Sequence, residues 1–196
     1  MIDPGARRLI LASASPRRRE LLATLVEDFD VVPADIDESV RGGEAPADYV
    51  PRMAREKAAA VRDRFDGCSV IGSDTAVVVD GRSLGKPGDD SEARAMLSML
   101  SGRCHEVLSS VCLCTADGRR LERLSCTVVE FAPLPEDWIA AYVATGDPMD
   151  KAGAYAIQGA PAAWIRRIDG SWSGVVGLPL FETASLLREA GRASAP

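Results

Sequence analysis

The stretch Cys68–Pro87, CSVIGSDTAVVVDGRSLGKP, decides the fold. Val70-Ile71 and Ala76 to Val79 are apolar runs of the kind that buried strands use. Asp80-Gly81 follows them as a type I′ hairpin signal, after which the chain returns briefly to Gly85-Lys86-Pro87. A strand that leaves through a tight hairpin has an antiparallel neighbour. Upstream, Leu9 to Ala12 reads as a short strand, Ser15 as a helix N-cap, Pro16 as the first helical residue, and Leu21, Leu22, Leu25 and Val26 as a buried stripe. Phe29 to Pro33 is a second strand. A helix is expected from about Pro46 to Arg64, with Tyr49, Met53, Ala54, Lys57, Ala58 and Val61 on one broad face; Pro51 either kinks it or delays its start to just after Val50.

Downstream, a helix near Ser91 to Leu100 carries Ala95, Met96, Met99 and Leu100. Glu106 to Phe131 predicts a long antiparallel hairpin around Asp117-Gly118. Leu134-Pro135 opens a helix from Glu136 to about Thr145, Trp164 to Ile168 is a strand, and Leu178-Pro179 opens a last helix that runs to about Ala190 and stops at Gly191. Strands alternate with helices, yet two hairpins rule out a purely parallel sheet, so the class is α/β with a mixed sheet. No linker or repeat divides the 196 residues, which form a single domain, 1–196, with room for two lobes around a cleft.

Composition narrows the function classes. The net charge of −6 argues against a surface for nonspecific nucleic-acid binding, and no apolar stretch approaches the ~18 residues of a membrane span or the layout of a signal peptide. A cytoplasmic protein with disorder only at its tails is expected. Five cysteines form no CxxC pair and there is one histidine, so the thiols are expected to be reduced and buried, with Cys112 and Cys114 on one strand face.

Three polar clusters fall at element junctions. Arg17, Arg18 and Arg19 sit in the first turn of the first helix, where the macrodipole disfavours cations by roughly 0.3–1 kcal/mol each. With Ser13 and Ser15 they either receive an anion, phosphate by their chemistry, or form a solvated basic turn. Asp74 interrupts the apolar run of the quoted stretch; a divalent cation or water would satisfy it, with Glu38 of the acidic loop as a second ligand, unless it merely caps a turn. Lys57, Lys86 and Lys151 complete the set, the last two beside glycine or proline that fixes the backbone. GRSLGKP lacks the spacing of a Walker A loop, no GxSxG or GxGxxG is present, and His105, at the start of a strand, is not expected to be catalytic.

Taken in order, LASASPRRRELL, DIDE, EAPADYVPRMAREKA, IGSDTAVV, LGKP, AMLSMLSGRCHEV, DKAGAYAIQG and GSWSGVVGLPLFET resemble the Maf family of nucleoside triphosphate pyrophosphatases over nearly the whole chain. The resemblance implies an elongated mixed β-sheet flanked by helices, two lobes around a central cleft as in inosine triphosphate pyrophosphatases, and hydrolysis of a nucleoside triphosphate to monophosphate and pyrophosphate. It implies Asp74 as proton acceptor and, with Glu38 and Lys86, as the catalytic set; Ser13, Ser15, Arg17, Arg18 and Lys57 as phosphate ligands; and Mg²⁺ or Mn²⁺ held by Glu38 and Asp74. Arg17, Thr75 and Gln158 match members that act on dTTP and UTP, a house-cleaning role linked to cell-division arrest, and a homodimer is implied. The alternatives are a 7-methyl-GTP type, which differs at those three positions, and a nucleotide-binding regulator of division with little catalysis.

Overall fold

A computed structural model describes residues 8–192; the expected disorder of the tails lies outside them. In chain order the elements are β1 (Leu9–Leu11), α1 (Pro16–Ala23), β2 (Asp30–Val31), α2 (Pro46–Arg62), β3 (Ser69–Val79), β4 (Arg82–Leu84), α3 (Asp90–Leu100), β5 (Cys104–Cys114), β6 (Arg120–Phe131), α4 (Glu136–Val143), three short 3-10 segments between 147 and 164, β7 (Ile165–Asp169), α5 (Trp172–Val176) and α6 (Leu180–Glu189). They build one mixed sheet of order β2-β1-β3-β5-β6-β7, with β4 also on β3. β1 is parallel to both β2 and β3, and every other pairing is antiparallel. Among the described residues no helix is long and apolar enough to cross a membrane.

β3 organises the molecule. One edge pairs with β5 from Val70 to Val78, whereas the other is shared: β1 takes Ser69–Ile71 and β4 takes Val77–Val79. Residues 72 to 76 therefore lie on an edge that no strand covers, and such an edge presents unpaired backbone groups. Period-two alternation splits the side chains of β3 between two faces. Val70, Gly72, Asp74, Ala76 and Val78 face α2, whose Ala54, Ala58 and Val61 join Val70 in one apolar cluster while Val50 joins Ala76 and Val78 in another. On the opposite face Ile71 packs with Leu21, Leu22 and Leu186, and Val77 and Val79 pack with Leu97, Leu100 and Tyr142. Ser73, Thr75 and Ser109 of β5 lie between those two cores, so a polar strip divides the face into two lobes.

Several sequence expectations shift. α2 starts at Pro46 and continues as one helix through Pro51, so its start is not delayed to just after Val50. Packing overrides the missing N–H: a Cβ at Gly72 would lie 2.2 Å from the Ala54 carbonyl oxygen, so glycine there lets the α2 backbone rest directly on the sheet. α1 ends at Ala23, and Leu25 and Val26 reach the core from the following turn. In α3 the buried stripe is Ala93, Met96, Leu97 and Leu100 rather than one with Ala95 and Met99; Asp89 caps the helix through the Glu92 N–H at 2.8 Å, and Met99 is exposed. Cys68, Cys112 and Cys114 are buried, all three in one cluster, but Cys104 and Cys126 are exposed on β5 and β6. The hairpin at Asp80-Gly81 forms with φ of 51° and 74°, the left-handed pair its turn requires.

Candidate active site

The uncovered edge of β3 floors a cleft of about 880 Å³, within the range of sites for small organic ligands. All ten site residues expected from sequence line it: Ser13, Ser15, Arg17, Arg18, Glu38, Lys57, Asp74, Thr75, Lys86 and Gln158.

On the α2 side the chemistry is carboxylate and ammonium. Asp74, 6 % exposed, accepts a hydrogen bond at Oδ1 from Lys57 Nζ at 2.7 Å, and the same ammonium donates to Glu38 Oε2 at 2.8 Å. The buried Asp74 thus finds its partner within the protein, where the sequence alone suggested a cation or water. Lys57 lies three turns into α2 on the face that rests on Gly72, which is why it reaches β3. Among the described residues Oδ1 alone of the Asp74 oxygens has a hydrogen-bond partner, and Asp74 lines the cleft. Glu38 sits in the loop between β2 and α2. Tyr49 donates its hydroxyl to the Glu38 carbonyl at 2.9 Å, and Arg52 Nη2 donates to the Ser39 carbonyl at 3.0 Å. Burial beside Asp74 and Glu38 pushes the Tyr49 phenol up to about 12, and the hydrogen bond from Arg52 holds the Glu44 carboxyl down at about 2.

On the opposite face the cations of α1 enter. Ser15 caps the helix by accepting from the Arg18 N–H at 3.4 Å, and Ser13 Oγ accepts from the Ser15 N–H at 3.2 Å, leaving the Ser13 O–H free to donate. Arg18 is largely committed: Nε donates to the Gly177 carbonyl and Nη1 to the Ser73 carbonyl, each at 2.8 Å, and Nη2 to Thr75 Oγ1 at 3.4 Å. Two of its five N–H groups have no partner among the described residues, and burial holds the guanidinium below the usual arginine value. Arg17 reaches toward Asp150 at 3.7 Å. Thr75 Oγ1 is hydrogen-bonded to Ser109 Oγ at 2.6 Å and lies 3.3 Å from the Gly177 carbonyl, so its first neighbours are Arg18 and the strip beneath it.

The far wall is loosely held. Lys86 and Gln158 are exposed and make no hydrogen bond among the described residues, while Lys151 is paired with Asp150 at 2.6 Å. Tyr155, on the segment that carries Gln158, accepts or donates a 2.7 Å hydrogen bond with His105 Nε2, and the two rings pack with Phe131. Burial lowers the His105 imidazole to about 4, so it is a neutral core residue, and it is not among the residues that line the cleft. Sequence reasoning missed Arg52, Tyr155 and Ser109. Arg52 adjoins the predicted face, three residues after Tyr49, and the two glutamates it grips, Glu44 and Glu56, flank it in the sequence.

Fold and cleft together define an α/β protein that sets paired carboxylates against a helix N-terminus armed with arginines. Residues 8–190 match the family model described as Maf-like protein, and the chain belongs to that family. It is 56% identical over 189 residues to a protein of Anaeromyxobacter dehalogenans (strain 2CP-C) named dTTP/UTP pyrophosphatase, covering 95% of each chain. A protein of the same name from Hahella chejuensis is 52% identical over 192 residues, covering 96% of this chain and 95% of its own. Among solved structures a HAM1 protein from Coxiella burnetii matches 93% of this chain and 99% of its own, with a TM-score of 0.48 and 19% identity.

Proposed function

We propose that the chain hydrolyses dTTP and UTP to the monophosphate and pyrophosphate in the cytoplasm, as a homodimer. The family membership and the names of relatives that share more than half of their residues with the chain support the reaction and the substrates. The observation that carries the mechanism is the geometry at Asp74, which lines the cleft: one oxygen is held by Lys57, the other has no hydrogen-bond partner among the described residues. A water donating to Oδ2 would be oriented for attack on the α-phosphorus, with its proton passing to the carboxylate as the α–β phosphoanhydride bond breaks and pyrophosphate leaves. The Ser13 hydroxyl, Arg17, the two remaining N–H groups of Arg18 and Lys86 hold the phosphate oxygens.

The donor set also fits a divalent cation. Two carboxylates, Glu38 and Asp74, meet at one ammonium, and among the described residues no third His, Cys, Asp or Glu joins them. Mg²⁺ and Mn²⁺ take one or two carboxylates and complete their shell with phosphate and water, so Glu38 and Asp74 would hold the ion and it would neutralise phosphate charge. Gln158, at the cleft wall and unpaired among the described residues, offers one donor and one acceptor to the O4 and N3–H edge that thymine and uracil share. Hydrolysis of UTP in oxygen-18 water tests the bond assignment: the label is expected in UMP. Label in pyrophosphate alone would place the attack on the β-phosphorus and contradict it.

A further inference from the structure

Glu38 stands on a loop with no regular structure between β2 and α2, and its side chain is 54% exposed. A single ion pair at that exposure contributes little and cannot by itself fix a loop of this length. The rigidity comes from beneath. Arg52, 7% exposed, donates from Nε and Nη2 to the two oxygens of Glu44 at 2.5 and 2.6 Å, from Nη1 to Glu56 Oε2 at 3.2 Å, and from Nη2 to the Ser39 carbonyl at 3.0 Å. Its guanidinium lies 5.4 Å from the centre of the Tyr49 ring, and Tyr49 donates to the carbonyl of Glu38. Consecutive carbonyls, those of Glu38 and Ser39, are thus anchored to the second turn of α2. Arg41 ties the remaining arc down through Glu56 at 3.0 Å and through its own N–H to Glu44 at 3.1 Å. Neither Arg52 nor Glu44 is among the residues that line the cleft, so neither touches a ligand there.

We propose that Arg52, with Glu44 as its buried counter-ion, is a positioning residue that fixes the acidic loop and so aims the Glu38 carboxylate at the reacting end of the cleft. The inference rests on the role given to Glu38 above. A planar fork is needed: it joins a carboxylate to a backbone carbonyl in one plane, which the point charge of lysine does not reproduce.

The test is a kinetic double-mutant cycle on pyrophosphate release from UTP, with Arg52→Lys, Glu38→Gln and the double variant, each checked for a cooperative melt. Arg52→Lys is expected to lower kcat about tenfold with KM within about twofold, and to have no further effect once Glu38 is glutamine. A tenfold loss in both backgrounds would mean a general structural role and overturn the proposal. Full turnover of Arg52→Lys beside a crippled Glu38→Gln would overturn the positioning role alone, whereas full turnover of Glu38→Gln would remove Glu38 from the reaction and both conclusions with it. Should Arg52→Lys not fold, Glu44→Gln, which keeps the shape and weakens the clamp, enters the same cycle with the same criteria.

Discussion

The two walls of the cleft are built on opposite principles. On the α2 wall, Lys57, Glu38, Asp74 and Tyr49 are each held by a named partner, with Arg52 behind them, and Lys57, Asp74 and Arg52 are buried. On the far wall, Lys86 and Gln158 are exposed and make no hydrogen bond among the described residues. Groups that act on reacting atoms gain from being fixed before substrate arrives, because no reorganisation is then needed during the reaction. Groups that capture a mobile triphosphate or read a base can close on it afterwards, at the cost of side-chain entropy. Mutations on the two walls should therefore separate turnover and stability from affinity.

The largest effect is expected on the fixed wall. Asp74→Asn keeps the shape and one acceptor but removes the proposed proton acceptor, and should lower kcat on UTP by roughly 10²- to 10⁴-fold, the usual range for general-base catalysis. Isothermal titration with UTP should still show binding; a loss of binding with kcat retained would put Asp74 on the capturing side. Lys57→Met strands the Asp74 and Glu38 carboxylates opposite each other, and removing one partner of a buried ion pair costs about 3–5 kcal/mol, read from urea unfolding. A variant as stable as the parent would show that this wall is not a tightly coupled network.

On the loose wall, Gln158→Ala should raise KM for UTP about tenfold, two hydrogen bonds at about 0.5–1.5 kcal/mol each, while kcat stays within about twofold and the melt is unchanged. A fall in kcat without a change in KM would erase the contrast. A smaller effect belongs to the anchor behind this wall. The folded state holds His105 neutral, with its pKa lowered from the ordinary 6.5 to about 4, so the unfolded chain binds the extra proton. Stability is therefore intact above pH 6.5 and is lost progressively as the pH falls toward 4; His105→Gln should flatten that part of the stability profile, and an unchanged slope would assign the acid sensitivity elsewhere.

How much of this was legible in the sequence depends on the range of the interaction involved. Local signals carried the cap at Ser15, the turn at Asp80-Gly81 and the hairpin around Gly118, since each is decided by a few adjacent residues. Asp74 stood out because a charge within an apolar run must find a partner, but which partner was not readable: Lys57 is brought to it only by Gly72 letting α2 settle on the sheet. The uncovered edge of β3 was hidden for a similar reason, being a consequence of how β1 and β4 divide one strand between them. Of the four apolar residues read on α3, Met96 and Leu100 are buried while Ala95 and Met99 face solvent, since the buried stripe runs through Ala93 and Leu97 instead. Arg52 was hidden by its type, since an arginine on a helix is usually solvated, and its burial follows from Glu44, eight residues upstream on a loop without a pattern.

The most direct test of the central claim is pyrophosphate release by the unmodified protein from dTTP, UTP, CTP, ATP, GTP and 7-methyl-GTP, with Mg²⁺ or Mn²⁺ present. Turnover of dTTP and UTP well above the other four is the predicted result, with a fixed acid wall for the chemistry and an amide on the loose wall for the base. Turnover confined to 7-methyl-GTP, or absent with all six nucleotides, would contradict it.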